Sequence, residues 1–253
     1  MPFLKVLWRN LLRSGPTAQP PKMLENLLKL RYHAGAQEDA GLFDFCTQYY
    51  QRSKAQLLQD LFVLHHLKEM RRGYFVEFGA GDGVHLSNTY LLDKEYGWTG
   101  ILAEPAQGWQ AGLRANRQCA IDRRCVWTRT GEQLEFNETA LLDLSTLQRF
   151  SETDGHAQAR RNGKTYTVET ISLNDLLAVH GAPRRIDYLS IDTEGSEYDI
   201  LEAFDFSQYD IGVLTVEHNY TGQRDKLYRL LTCHGFTRVH ETLSRWDDWY
   251  IRA

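Results

Sequence analysis

The stretch Tyr74-Phe75-Val76-Glu77-Phe78-Gly79-Ala80-Gly81-Asp82-Gly83 runs an aromatic and β-branched segment straight into a turn with three glycines. The apolar run reads as a short buried strand. Its glycines let the chain turn sharply and let the backbone approach a ligand with no Cβ in the way. Upstream, Ser53 and Gln56 form a capping box, and Leu57, Leu61 and Leu64 follow at helical spacing. A helix is therefore expected from Ser53, with Lys68, Arg71 and Arg72 at its negative end and Gly73 as its stop. Downstream, Ser87–Tyr96 reads as a helix stopped by Gly97, and Thr99–Ala103 as a second buried strand ending at Glu104. Strand, helix and strand make a βαβ unit.

The same alternation continues to the C-terminus. A helix is expected over Trp109–Arg117, a short strand near Ala120 and Ile121, and a hairpin joining Val126-Trp127 to Leu134–Phe136 around Gly131. Ser151–Lys164 is polar and aperiodic, which predicts a mobile surface loop or a lid. Helices follow at Leu173–His180, Glu197–Phe204 and Lys226–Cys233, interleaved with apolar strands at Ile186–Ile191 and Ile211–Val216. Phe236–Glu241 and Trp246–Ile251 close the chain as a hairpin. The pattern predicts an α/β fold: a Rossmann-like, mostly parallel sheet with helices on both faces and an antiparallel C-terminal hairpin at its edge.

Composition bounds the function. The 253 residues are 42% hydrophobic and 25% charged, as expected of a globular chain with a sizeable core. A net charge of -4 supplies no overall field for a polyanion, so no nucleic acid is expected as partner. Cys46, Cys119, Cys125 and Cys233 lack paired zinc-ligand spacing and read as free thiols, which favours a reducing, cytoplasmic location. No apolar run approaches the ~20 residues of a transmembrane segment. Met1–Arg13 has leucines near helical spacing with basic residues between them, read as a helix docked on the body or lying on a membrane or partner. Pro16, Pro20 and Pro21 mark a linker, so residues 1–52 are expected to form a helical extension and 53–253 the catalytic domain.

In such sheets ligands bind beyond the carboxyl ends of the strands. Glu77, Glu104, Asp192 and Glu217 occupy those ends. Glu104 follows Gly83 by 21 residues (83 to 104), which places a carboxylate where it accepts hydrogen bonds from ribose hydroxyls. The loop alone reads equally as a structural turn; with Glu104 it points to an adenine nucleoside. A dinucleotide fingerprint starting at Gly79 needs Gly or Ala where this chain has Val84, and carboxylates at Glu77 and Asp82 repel a phosphate. A cationic nucleoside such as S-adenosylmethionine suits that field, with a dinucleotide-dependent oxidoreductase as the alternative.

These segments resemble the FkbM-type methyltransferases, class I enzymes that use S-adenosylmethionine. The resemblance covers about 200 residues from Ser53 onward. It rests on Tyr74–Gly83, on Leu86-Ser87-Asn88-Thr89, on Trp98–Pro105 and, most specifically, on Ile186-Asp187-Tyr188-Leu189-Ser190-Ile191-Asp192-Thr193-Glu194-Gly195-Ser196-Glu197. It implies a seven-stranded sheet with cofactor contacts from Glu77, Gly79, Ala80, Gly81, Asp82, Gly83, Ser87, Asn88 and Glu104, and with Asp122 facing the adenine. It also implies O-methylation of a sugar, glycan or natural-product hydroxyl, with a non-catalytic module of the same fold as a further alternative.

Methyl transfer to a hydroxyl needs positioning and removal of a proton. Asp192, Glu194, Glu217 and His218 lie at the ends of the fourth and fifth strands and are the catalytic candidates. His218 is the first choice as base because its ordinary pKa lies near neutrality; the competing reading is a histidine held by a structural hydrogen bond. A divalent cation held by Asp192 with Glu217, His218 or Asn219 is a second route to activating the hydroxyl. Glu197 is expected to stabilise a helix N-terminus, and Trp246, Trp249 and Tyr250 to pack an edge strand or to form a sugar platform.

Overall fold

The computed structural model describes residues 37–252. In chain order, α1 (Gln37–Tyr49) and α2 (Gln59–His66) precede β1 (Tyr74–Phe78), α3 (Tyr90–Tyr96), β2 (Thr99–Ala103), α4 (Gln110–Asn116) and β3 (Ala120–Asp122). A second group follows: β4 (Cys125–Trp127), β5 (Gln133–Glu138), β6 (Thr146–Leu147), α5 (Ala157–Arg160) and β7 (Lys164–Ser172). The chain then runs through α6 (Leu173–Val179), β8 (Arg185–Ile191), α7 (Glu197–Glu202), β9 (Asp210–Glu217), α8 (Gln223–Cys233), β10 (Phe236–Val239), α9 (Glu241–Ser244) and β11 (Asp247–Arg252).

Seven strands make one sheet in the order β10-β11-β9-β8-β1-β2-β3. Pairing is parallel except where β11 runs antiparallel to both β9 and β10. The antiparallel β10–β11 hairpin forms the edge of the sheet, as expected, with β10 outermost and β11 against β9. Because successive side chains point to opposite faces, Phe75, Tyr188, Val213 and Trp249 pack with α1, α2 and α3 on one side. Their neighbours Val76, Leu189, Leu214 and Tyr250 pack with α6, α7 and α8 on the other. Helices cover both faces, as predicted.

The described part of the expected extension, α1, shares this core. Leu42, Phe43 and Cys46 of α1 are buried in the same cluster as Leu61 and Leu64 of α2. The amphipathic stretch Met1–Arg13 and the proline linker lie outside the described residues. The helix expected from Ser53 starts only at Gln59. Asp60 is fully buried, and residues 53–58 wrap around it: Ser53 Oγ donates to Asp60 Oδ1 at 2.6 Å, and Lys54 N and Leu61 N also donate to its carboxylate. The hydroxyl is spent on that carboxylate rather than on a helix cap. Likewise α3 starts at Tyr90, not Ser87, because Ser87 Oγ accepts from Tyr90 N at 3.1 Å and so caps the helix from three residues upstream.

The region between β3 and β8 departs most from expectation. β4 and β5 do not pair with each other; β7 lies between them, parallel to β4 and antiparallel to β5, in a second sheet ordered β4-β7-β5-β6. The polar stretch Ser151–Lys164 is folded around Arg160, whose side chain is completely buried between Asp154 (2.7 Å) and Glu194 (2.7 Å). A buried guanidinium with two carboxylate partners and a bond to the Leu144 carbonyl is an anchor, not an idle loop.

A second buried arginine ties the glycine turn to the helices. Arg117, with no exposed side-chain surface, donates to Asp93 Oδ2 (2.8 Å), the Gly83 carbonyl (3.0 Å), Ser87 Oγ (3.2 Å) and Thr89 Oγ1 (3.0 Å). Replacing it with a methionine leaves these acceptors without their donor. Arg117→Met is expected to cost about 3 kcal/mol in urea unfolding; a loss below about 1 kcal/mol would show that the network is not structural.

Candidate functional site

The turn after β1 is left-handed at Gly79, Gly81 and Gly83 (φ +68°, +55° and +76°), a region that favours glycine. Gly79 has a second constraint: a Cβ there would stand 1.8 Å from the Asp192 carbonyl. The two strand-end loops are therefore in backbone contact. Glu77, buried in β1, accepts from Asn88 N (2.8 Å), Ser87 Oγ (3.1 Å) and Thr89 Oγ1, which fixes the segment after the turn. Burial pushes its pKa up, and the Arg117 charge opposes that.

Glu104, at the end of β2, reaches across to this turn. Its Oε2 accepts from Gly81 N at 2.9 Å and its Oε1 from Ala106 N at 2.8 Å. It is 5% exposed, and burial pushes its pKa up to about 7 against those two hydrogen bonds. Each oxygen retains lone-pair capacity for a further donor. The turn, Glu104, Trp109, Val126, Phe136 and the Asp192 loop line a cavity. Asn88 faces it with a fixed amide: Nδ2 donates to Ser190 Oγ at 2.8 Å, and buried Oδ1 has no partner among the described residues.

The far end of the cavity is acidic. Asp192 and Glu194 line it, and Glu217, from the end of β9, comes with them: one carboxylate oxygen from each lies within 4.8 Å of the others. Burial, then the charge of Glu197, pushes Asp192 up to about 7. Burial and Asp192 push Glu194 and Glu217 up as well, with Arg160 opposing at Glu194. Glu194 adopts a left-handed backbone (φ +59°) and receives Asn219 Nδ2 at 3.2 Å beside Arg160. A second cavity, lined by Gln56, His156, Glu217, Tyr220 and Trp246, meets the first at Leu86, Asp143, Asp192 and Glu194, which line both.

Of the residues singled out from sequence, Glu77, Gly79, Gly81, Asn88, Glu104, Asp192 and Glu194 line the first cavity. Ala80, Asp82, Gly83 and Ser87 stand behind its wall. Ala80 is buried in the core, Asp82 Oδ1 accepts from Val84 N (2.8 Å) and His85 N (2.7 Å), and a Cβ on Gly83 would collide with Arg117. Asp122 lies elsewhere, held by Arg124 (2.6 Å) and by His180 Nε2 (2.9 Å); these partners hold its carboxyl down at about 2 despite burial. His218, the first choice as base, is also outside both the first cavity and the second. With Glu217 and Asn219 it lines a separate pocket. Its Nδ1 accepts from Tyr220 N at 3.0 Å, its Nε2 lies 3.7 Å from Asp248, and burial lowers its pKa. This is the histidine with a structural hydrogen bond. Glu197 accepts from Thr193 N and Gly195 N at the start of α7, as expected. Trp249 and Tyr250 are core residues, while Trp246 lines the second cavity.

The sequence reading missed Arg160, Asp143, Phe136 and Trp109. Phe136 had a signal, since Thr165-Tyr166-Thr167-Val168-Glu169-Thr170-Ile171 alternates as its partner strand should. Arg160 had none.

A parallel run ordered β3-β2-β1-β8-β9, with a glycine turn after β1 and an acid after β2, defines a class I methyltransferase fold. A family model described as the methyltransferase FkbM domain matches residues 77–249, and the chain belongs to that family. No curated protein matches the sequence. Among solved structures, methyltransferase FkbM from Methylobacillus flagellatus KT is similar at 13% identity and TM-score 0.47; the match covers 91% of this chain and 59% of that one. Precorrin-6y C5,15-methyltransferase from Geobacter metallireducens GS-15 matches at 13% identity and TM-score 0.37, over 71% of each chain. A point mutant of MtNAS in complex with S-adenosylmethionine matches at 14% identity and TM-score 0.36, over 91% of this chain and 72% of that one.

The raised pKa of Glu104 carries a pH dependence. An acid at about 7 when folded, against its ordinary 4.5, binds more protons in the folded state, so its contribution to stability declines as pH rises from about 4.5 through 7. Glu104→Gln removes that decline. Relative to the parent, the variant is expected to gain about 2 kcal/mol between pH 5 and pH 8 in urea unfolding; a difference that does not change with pH would contradict this.

Proposed function

We propose that this protein is an S-adenosylmethionine-dependent methyltransferase that methylates a hydroxyl of a sugar, glycan or natural product. One observation carries the reading: Glu104, hydrogen-bonded to the glycine turn, lies in a cavity that meets a second cavity at Asp192 and Glu194. When bound, S-adenosylmethionine supplies an electrophilic methyl group on a sulfonium. Glu104 would accept from both ribose hydroxyls, and Asn88 Oδ1, buried and unpartnered, would accept from the α-ammonium. The acceptor would enter through the second cavity. Asp192, Glu194 and Glu217 would orient its hydroxyl and favour loss of its proton. The four free cysteines and the absence, among the described residues, of a helix long and apolar enough to cross a membrane fit a cytoplasmic enzyme.

Asp82 argues against a dinucleotide. Its carboxylate takes the Val84 and His85 amides, donors that a pyrophosphate would need, and puts a negative charge where the phosphate would lie.

Calorimetric titration with S-adenosylhomocysteine is expected to give one saturable site, weakened about 100-fold in Glu104→Ala by loss of two hydrogen bonds to a charged acceptor. No binding, or an unaffected variant, would reject the reading. Labelled S-adenosylmethionine incubated with a fractionated extract should mark a hydroxylated product, and Asp192→Asn should abolish the label while retaining cofactor binding.

A further inference from the structure

We propose that Asp192, Glu194 and Glu217 bind a hard divalent cation of the magnesium or manganese type, at the junction of the two cavities. This rests on the methyltransferase reading for its purpose, not for its geometry. Three carboxylate oxygens from two strand-end loops lie within 4.8 Å of one another, the spacing expected when each bonds one ion at roughly 2.0–2.6 Å. Glu217 supplies an independent sign: it is only 6% exposed, and its Oε2 is buried with no hydrogen-bond partner among the described residues. Native structures seldom leave a buried carboxylate oxygen unmatched unless something else occupies its lone pairs.

Charge leads to the same place. Arg160 is already shared between Asp154 and Glu194, and no ion pair described reaches Asp192 or Glu217. The carboxylates of Asp192, Glu194, Glu197 and Asp247 all act on Glu217. Glu197 is satisfied by backbone amides and Asp247 by Gln59 Nε2 at 2.7 Å. Asp192 and Glu217, which abut, are left to share either a proton or a cation. Glu194 receives Arg160 and Asn219 on Oε2, so Oε1 is its oxygen for the ion. All three donors are carboxylate oxygens, which selects a hard cation over zinc or copper. His218, turned toward Asp248, is not a ligand.

Asp192 and Glu194 line both cavities, so an ion here would lie between cofactor and acceptor. It would take the acceptor oxygen as a further ligand and lower its pKa; the proton would pass to water in the second cavity.

The test is titration of the chelator-treated 253-residue protein with Mn2+ alone, followed by paramagnetic resonance of free Mn2+, and repeated with Mg2+ and Ca2+ as competitors. One saturable site is expected, weakened tenfold or more in both Glu217→Gln and Asp192→Asn, with S-adenosylhomocysteine affinity of Glu217→Gln within twofold of the parent. Bound Mn2+ should also raise the melting temperature of the parent but not of the variants. Absence of saturable Mn2+ binding in protein that binds S-adenosylhomocysteine would overturn the cation and leave a carboxyl pair sharing a proton, with the methyltransferase reading intact. Equal Mn2+ binding by parent and both variants would place the ion elsewhere and overturn it too. Failure to bind S-adenosylhomocysteine would count against the methyltransferase reading alone.

Discussion

Glu77, Glu104, Glu194 and Glu217 are buried at the carboxyl edge of one sheet with the partly exposed Asp192 among them, and the surroundings are organised by how each is accommodated. Taking a carboxylate out of water costs several kcal/mol unless donors replace the lost hydration. Glu77 and Glu104 meet that requirement with backbone amides and hydroxyls from the turn and the segment after it. The local backbone is bent into the conformation that presents those amides, and the first cavity is the space left in front of them. Asp192 and Glu217 have no such donors, which separates a hydrogen-bonded end of the site from an electrostatically open one.

Two arginines hold these ends in register from distant parts of the chain. Arg117 braces the glycine turn against α3, and Arg160 braces Glu194 against the segment before β7. Both are buried with paired or hydrogen-bonded partners, so each fixes geometry through several directional bonds rather than through packing alone. The close backbone approach of Gly79 to the Asp192 carbonyl then sets the two ends directly against each other.

The main sheet was legible in the sequence because its strands are short, apolar and separated by helices with clear stops such as Gly97 and Gly181. Glu104 was legible because strand and helix lengths fix its distance from the turn. What failed has physical causes. At Ser53 a hydroxyl with two possible partners chose a buried carboxylate. At His218 the choice rested on pKa, while its ring is held by the Tyr220 amide and lies beside Asp248. In the second sheet the partners of β7 lie on both sides of it in space, and local alternation carries no record of which strand pairs with which. Arg160 sits in a polar stretch with no period, and only its tertiary partners make it an interior residue.

The second sheet is drawn from one continuous segment between β3 and α6, yet it contributes Phe136 and Leu147 to the first cavity and, through the loops around it, Asp143 and His156 to the second. The main sheet's strand order does not pass through it. Exchange of this segment would therefore change the lining of both cavities at once and remove Arg160, the partner of Glu194.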